Sequence, residues 1–369
     1  MLSKLLSDAS GGDGRPSPSD PGPADGDRAA TEGSRPPTET PDEQESGWRL
    51  PDPTNLALLG VLSIPGFLVP DLDQLRGFAL FFLFGFWPLV AMLLPSREES
   101  GTDWVRTGDR WTTARFLLST LALQVNPWVQ TQALRQLAGH GAIYLRYRFD
   151  LPAPDSFDQR TTYRLPVEGE WTVVNGSHDR SASHSWSILG QRYAYDLVQT
   201  DAEGRTYTGD GDDPADYYCW DEPVVAPADG VVVAANDGHR DTPRTKGWLD
   251  LRQRDIRGNY VVVEHAGGEH SVLAHLREGS VAVAAGDRVV AGQRVGRCGH
   301  SGNSTEPHLH FHVQDDASFY RGMGLPVTFS HVAVASGPKE EVIRHDEAAV
   351  AVGQRVIHAP EAASVETTD

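Results

Sequence analysis

The chain has 369 residues and a formal charge of −19, from 32 basic and 51 acidic side chains, and only two cysteines. Such acidity excludes a nucleic-acid binder, whose grip on phosphates needs a basic surface; two cysteines exclude a disulfide-stapled scaffold or a multi-cysteine zinc module. The length allows more than one domain, and abundant acid with lysine only at Lys4, Lys246 and Lys339 suggests a surface hydrated for high salt, hence a halophilic source.

Residues 1–48 are mostly Pro, Gly, Ser, Asp and Glu, too poor in apolar side chains to offset the entropy of ordering them, and read as a disordered acidic tail. The opening Met1 to Leu6 lacks the apolar core of a signal peptide. Residues 49–100 invert that character. Leu56 to Val69 is an apolar run broken by Pro65 and Gly66, and Gly77 to Leu94 carries no charge. A membrane span takes about 20 apolar residues and tolerates about 17. The segment therefore reads as an α-helical membrane hairpin, with membrane lipid as a partner. Arg49, Arg97, Arg106 and Arg110 flank it, against Arg76 in the connection, so the positive-inside rule would put both ends in the cytoplasm.

Residues 101–164 form a helical linker region. Leu117, Leu121, Leu134 and Leu137 recur at helical spacing, and Pro127 marks a break. From Leu165 to about residue 330 the pattern changes to short Val-rich strands separated by Gly, Pro and Asp, which predicts an all-β domain, a sandwich or a barrel. Residues 331–369, charged and weakly patterned, read as a loosely ordered tail.

Eleven of the fourteen histidines lie between His178 and His331. The densest group is Pro307-His308-Leu309-His310-Phe311-His312-Val313. On a strand, alternate residues share a face. His308, His310 and His312 then point one way, as a row of imidazoles suited to binding metal, while Leu309, Phe311 and Val313 point to the core. By contrast, His265 and His270 flank Ala-Gly-Gly-Glu without the spacing of a helical zinc motif, and a turn between strands accounts for them. Cys219 and Cys298 could pair outside the cell or pack as small apolar groups.

Gly258-Asn259-Tyr260-Val261-Val262-Val263-Glu264-His265, Ala274-His275-Leu276, Gly286-Asp287-Arg288-Val289 through Gly292-Gln293-Arg294-Val295-Gly296, and Ser301-Gly302-Asn303-Ser304-Thr305-Glu306-Pro307-His308-Leu309-His310-Phe311 occur in this order. Together they resemble the lysostaphin/LytM-type zinc metallopeptidases, over about residues 165–329. The resemblance implies a small, mostly antiparallel β-sandwich with a groove and one zinc ion per chain, held by a His, an Asp and the second His of His-x-His. It implies His310 as that second ligand and Asp196, in Gln191-Arg192-Tyr193-Ala194-Tyr195-Asp196, as the carboxylate. His275 and His308 become the catalytic histidines beside the metal. Two His and one carboxylate leave a fourth position for the attacking water.

The family usually places its first His four residues before the Asp, and none stands there. The candidates are His184 and His178. His184 is favoured, because Ser183-His184-Ser185-Trp186 followed by Gln191 to Asp196 is similar to one branch of the family. His300 and His312 depart from the usual residues, as groove contacts to substrate or as surface substitutions.

The resemblance implies a membrane-anchored zinc metalloendopeptidase acting on peptide or cell-envelope peptide substrates, with the catalytic domain extracytoplasmic despite the arginine distribution. The alternative is a catalytically inactive family member acting as a binding or regulatory module. A lipoyl- or biotin-carrier reading of the 286–296 hairpin fails, because no lysine lies near it.

Overall fold

The Val-rich segments between residues 170 and 358 form strands in the computed structural model. The structure describes residues 53–86, 104–180, 183 and 185–359. The strands are β1 (Glu170–Asn175), β2 (Tyr195–Val198), β3 (Pro223–Val225), β4 (Gly230–Asn236), β5 (Asn259–Glu264), β6 (His270–Leu276), β7 (Arg288–Val289), β8 (Arg294–Arg297), β9 (Leu309–Gln314), β10 (Gly324–Leu325), β11 (Phe329–Ala335), β12 (Ile343–Ala348) and β13 (Arg355–His358). One sheet runs β12-β11-β13-β1-β2-β9-β6-β5-β4-β7, with β10 beside the end of β9, and β3 and β8 form a separate ribbon. Every strand pairing among the described residues is antiparallel.

The main core gathers the inward side chains of the large sheet, among them Leu197, Val261, Leu273, Leu309 and Phe311, with Val224 and Val295 of the ribbon. Cys219 and Cys298 are buried free thiols in this core, and the Cys219 thiol donates to the Pro307 carbonyl at 3.1 Å. His265 sits in the β5–β6 turn, bonded to the Asp229 carbonyl and the Ser271 hydroxyl, both at 2.8 Å.

The opposite face of the sheet is covered as well. The helix Pro127–Tyr147 begins where Asn126 caps it, accepting from the backbone N–H groups of Trp128 and Val129, with Pro127 at a position that needs no N–H. Gln132 accepts from the Ile256 N–H (2.8 Å) and the Tyr320 hydroxyl (3.1 Å) and donates to the Arg254 carbonyl (3.1 Å). Gly139 allows the Tyr320 carbonyl so close that a Cβ there would lie 1.7 Å from its oxygen. Arg146 and the Tyr147 hydroxyl both bond Asp315. The region expected as a linker is thus docked on the sheet through residues 315–321.

Two further expectations differ from the structure. The loose tail expected over residues 331–369 is strand as far as His358, because β11, β12 and β13 extend the sheet beyond β1. Strand β12 is almost wholly exposed, so its charged side chains carry no buried alternation to betray it. No helix among the described residues is long and apolar enough to cross a membrane. Residues 53–63 and 70–86 are 3-10 helical around a short α-helix, Ile64–Leu68, and the rest of the Gly77 to Leu94 run, like the acidic tail, lies outside the described residues.

Candidate active site

Three neighbouring strands assemble the site. In register, Asp196 of β2 lies opposite His310 of β9, and His310 lies opposite Ala274 of β6. Because neighbours across a sheet share a face, Asp196 and His310 meet, with Oδ1 and Nδ1 2.8 Å apart. Asn175 donates to the other carboxylate oxygen at 3.2 Å.

One residue past Ala274 the backbone departs from strand geometry. His275 takes a left-handed φ of 62°, its N–H bonding the Arg257 carbonyl. A non-glycine residue in this region is strained, and such strain gathers at functional sites. The turn brings the His275 ring 4.7 Å from His308 and 5.7 Å from His310, centre to centre. Its Nδ1 donates to the Ser301 carbonyl at 2.9 Å. Burial, followed by repulsion from His308 and His310, holds the His275 pKa well below the usual range, so it is neutral at pH 7.

His308 stands just before β9, bridged to Gly299. Its Nδ1 lies 2.8 Å from the Glu306 carbonyl, which can only accept, so Nδ1 carries the proton in that bond. In the neutral ring Nε2 then bears the lone pair, 3.7 Å from Asp196 Oδ1. Side-chain exposures of 12%, 12% and 10% for His308, Asp196 and His310 leave the cluster shielded but within reach of solvent.

The donor set suits zinc. An imidazole nitrogen facing a carboxylate oxygen at 2.8 Å needs a proton or a cation between the lone pairs, and nitrogen and oxygen donors of this kind are those zinc takes. His184 lies outside the described residues, and among the described residues no three His, Cys, Asp or Glu side chains converge as a metal-holding group. His178 is committed elsewhere: its Nε2 donates to the Val327 carbonyl at 3.0 Å and its ring packs against Tyr193.

His300 and His312 were expected at the groove or on the surface. Both are buried, with 0% and 1% exposure, so neither reading holds. Burial lowers the His300 pKa to about 4, and Nε2 donates to the Arg244 carbonyl while Nδ1 meets Ser304 Oγ at 2.7 Å. Burial, then the adjacent His310, lowers that of His312 to about 3. Asn175 and Gln314 were missed, because an amide in a strand carries no motif signal. A cavity of ≈ 500 Å³ lined by Tyr147, Phe157, Asp158, Glu269 and Asp315 contains none of the clustered histidines.

Comparison with known proteins matches a segment that carries His275, His308 and His310 but not Asp196. Residues 216–321 match the family described as Peptidase family M23. Among curated proteins, the chain is 31% identical over 121 residues to a peptidoglycan DD-endopeptidase, ShyA, of Vibrio cholerae serotype O1, covering 32% of this chain and 23% of that protein. It is 33% identical over 129 residues to the DD-carboxypeptidase/endopeptidase Mpg of Neisseria meningitidis serogroup B, covering 35% and 23%. The match thus spans under a quarter of these relatives. A crystal structure of a zinc-containing peptidase from Vibrio cholerae aligns at 21% identity over 45% of this chain and 39% of its own, with a TM-score of 0.28, too low to bear on function.

Proposed function

Because residues 216–321 match peptidase family M23, we propose that this protein is a zinc metalloendopeptidase that hydrolyses peptide bonds, with peptidoglycan peptides as its substrate class. The observation that carries the reading is the meeting of Asp196 and His310 beside two further histidines, His275 and His308. Asp196, His310 and His184 would hold the metal. Bound there, zinc would supply a Lewis acid and lower the pKa of a water ligand to about 7.

The chain's own groups handle the protons. His308, with Nδ1–H committed to the Glu306 carbonyl, offers Nε2 to the proton of the attacking water. His275, with Nδ1–H on the Ser301 carbonyl, is a second neutral acceptor. Protonation at Nε2 makes either ring an imidazolium, able to stabilise the developing oxyanion or to donate to the leaving amine. The peptidoglycan substrate is supported by the names of the relatives, which act on peptidoglycan or carry DD-peptidase names.

The reading also places the domain outside the cytoplasm, attached to a membrane. Exposed Phe67, Leu68, Leu80 and Leu83 support the attachment, and flotation of the full chain with lipid vesicles tests it. The central test is metal content and cleavage of purified peptidoglycan peptides by the full chain, with and without chelator. About one zinc per chain and chelator-sensitive cleavage are expected. Peptide binding without cleavage by zinc-loaded protein would instead indicate a binding module.

A further inference from the structure

The residues following His310 on its own face continue inward as an unbroken polar row, His312 and then Gln314, both buried. The direction of each hydrogen bond in that row is fixed from its far end. Gln314 Nε2 donates to the Asp316 carbonyl at 2.5 Å. A carbonyl only accepts, so the amide cannot be flipped, and Oε1 is the atom 3.1 Å from His312 Nε2. His312 Nε2 must therefore carry a hydrogen. The buried ring has one such hydrogen to give, so its Nδ1 accepts from His310 Nε2 at 3.0 Å. His310 Nε2 therefore carries a hydrogen, which leaves Nδ1 as the position that faces Asp196 at 2.8 Å and is open to a metal ion.

We propose that His312 and Gln314 are positioning residues that fix the tautomer of His310, presenting its Nδ1 lone pair beside Asp196 for a metal ion. The consequence for metal rests on the ligand role proposed above for His310; the tautomer does not. The surroundings are shaped for the relay. A Cβ at Gly322 would lie 2.5 Å from Gln314 Cδ and 2.8 Å from both amide heteroatoms, so only glycine lets the amide sit there. The Phe319 ring lies 5.9 Å from the His312 ring. Outer hydrogen bonds of this kind set the orientation and basicity of ligand imidazoles, and their loss typically weakens metal affinity 10–100-fold.

The test uses the full chain with nitrogen-15-labelled histidine. Long-range proton–nitrogen spectra of the metal-free protein, assigned by difference against His310→Gln, should show a hydrogen on His310 Nε2. Gln314→Leu should shift the His310 tautomer toward Nδ1–H and weaken zinc binding, measured against a chromophoric chelator, by about 10–100-fold. Gly322→Ala should do the same from a residue that touches neither histidine. Gln314→Glu, whose acid form offers one oxygen to His312 and an O–H to Asp316, should stay within about threefold of the parent, a rescue that mere loss of packing would not produce. An Nδ1–H tautomer in the parent, or unchanged tautomer and affinity in Gln314→Leu, would overturn the relay. Absence of zinc uptake by the parent would overturn the metal role of His310, with the tautomer still deciding the relay.

Discussion

Glu306 offers a direct test of how burial acts on this site's turn. It precedes His308 by two residues, and its side chain is buried, with Oε2 no closer than 3.5 Å to its partner, Thr206 Oγ1. Burial raises the Glu306 pKa from the ordinary 4.5 to about 8, against a weak opposing pull from Thr206. Between those two values the folded state holds a proton that the unfolded chain releases. Stability must therefore fall as pH rises from 4.5 through about 8 and level off above it. At about 1.4 kcal/mol per decade, the full penalty is on the order of 5 kcal/mol. Glu306→Gln is nearly isosteric and cannot ionise. At pH 5 the two proteins should unfold within about 1 kcal/mol of one another, whereas at pH 8.5 the variant should be more stable by several kcal/mol, a rise of roughly 10 °C in melting temperature. Urea unfolding followed by circular dichroism across pH 5–9 measures the difference directly, and every other titrating group cancels in it. Parallel pH profiles for the two proteins would refute the reasoning.

Substitution of His275 or His308 by Ala should preserve zinc content while lowering turnover about 10²-fold or more, the usual reach of general acid–base groups; near-normal turnover would remove that residue from the mechanism. His184→Ala should lose zinc, whereas His178→Ala, whose ring is tied to the Val327 carbonyl, should keep both zinc and cleavage, and the reverse pattern in metal analysis would transfer the ligand role. Gly139→Ala would drive a methyl group into the Tyr320 carbonyl and should destabilise the protein by about 1–3 kcal/mol in urea unfolding; unchanged stability would show that the helix is not held at that distance.

What the sequence made legible depends on the range over which each signal acts. The period of two around His308 and His310 is local, and the strand Leu309–Gln314 with its apolar Leu309, Phe311 and Val313 in the core is what that period predicts. The break at Pro127 is equally local, and the helix Pro127–Tyr147 starts there. The family motifs supplied what periodicity could not, that Asp196 stands near His310 although 114 residues separate them. Illegible features were those set by what packs on a face. Alternation told that His312 faces away from the core, but not that residues 315–321 and a helix from the supposed linker bury that side. Strand β12 escaped notice for the opposite reason. Its Arg344, His345, Asp346 and Glu347 are exposed, and charge on an edge strand is a defence against unwanted pairing that in sequence resembles a tail.

The turn before His308 is held largely by a loop outside the motifs. The connection from β4 to β5, residues 237–258, is long for an antiparallel pair, and long ordered loops are commonly functional. Here it is bonded to the turn that leads into His308. The Thr242 N–H bonds the His300 carbonyl at 2.9 Å, the Gly247 N–H bonds the Thr305 carbonyl at 3.1 Å, and Asp241 accepts from the His300 N–H at 2.7 Å. The buried His300 closes the link by donating back to the Arg244 carbonyl, with Ser304 between it and His308. A displacement of this loop must therefore be felt at the Ser304–His308 turn, and a rigid loop keeps His308 aimed at Asp196. On the proposed reading, the groups for the chemistry stand on and beside β2, β6 and β9, and the loop of residues 237–258 holds the Ser304–His308 turn in place next to them.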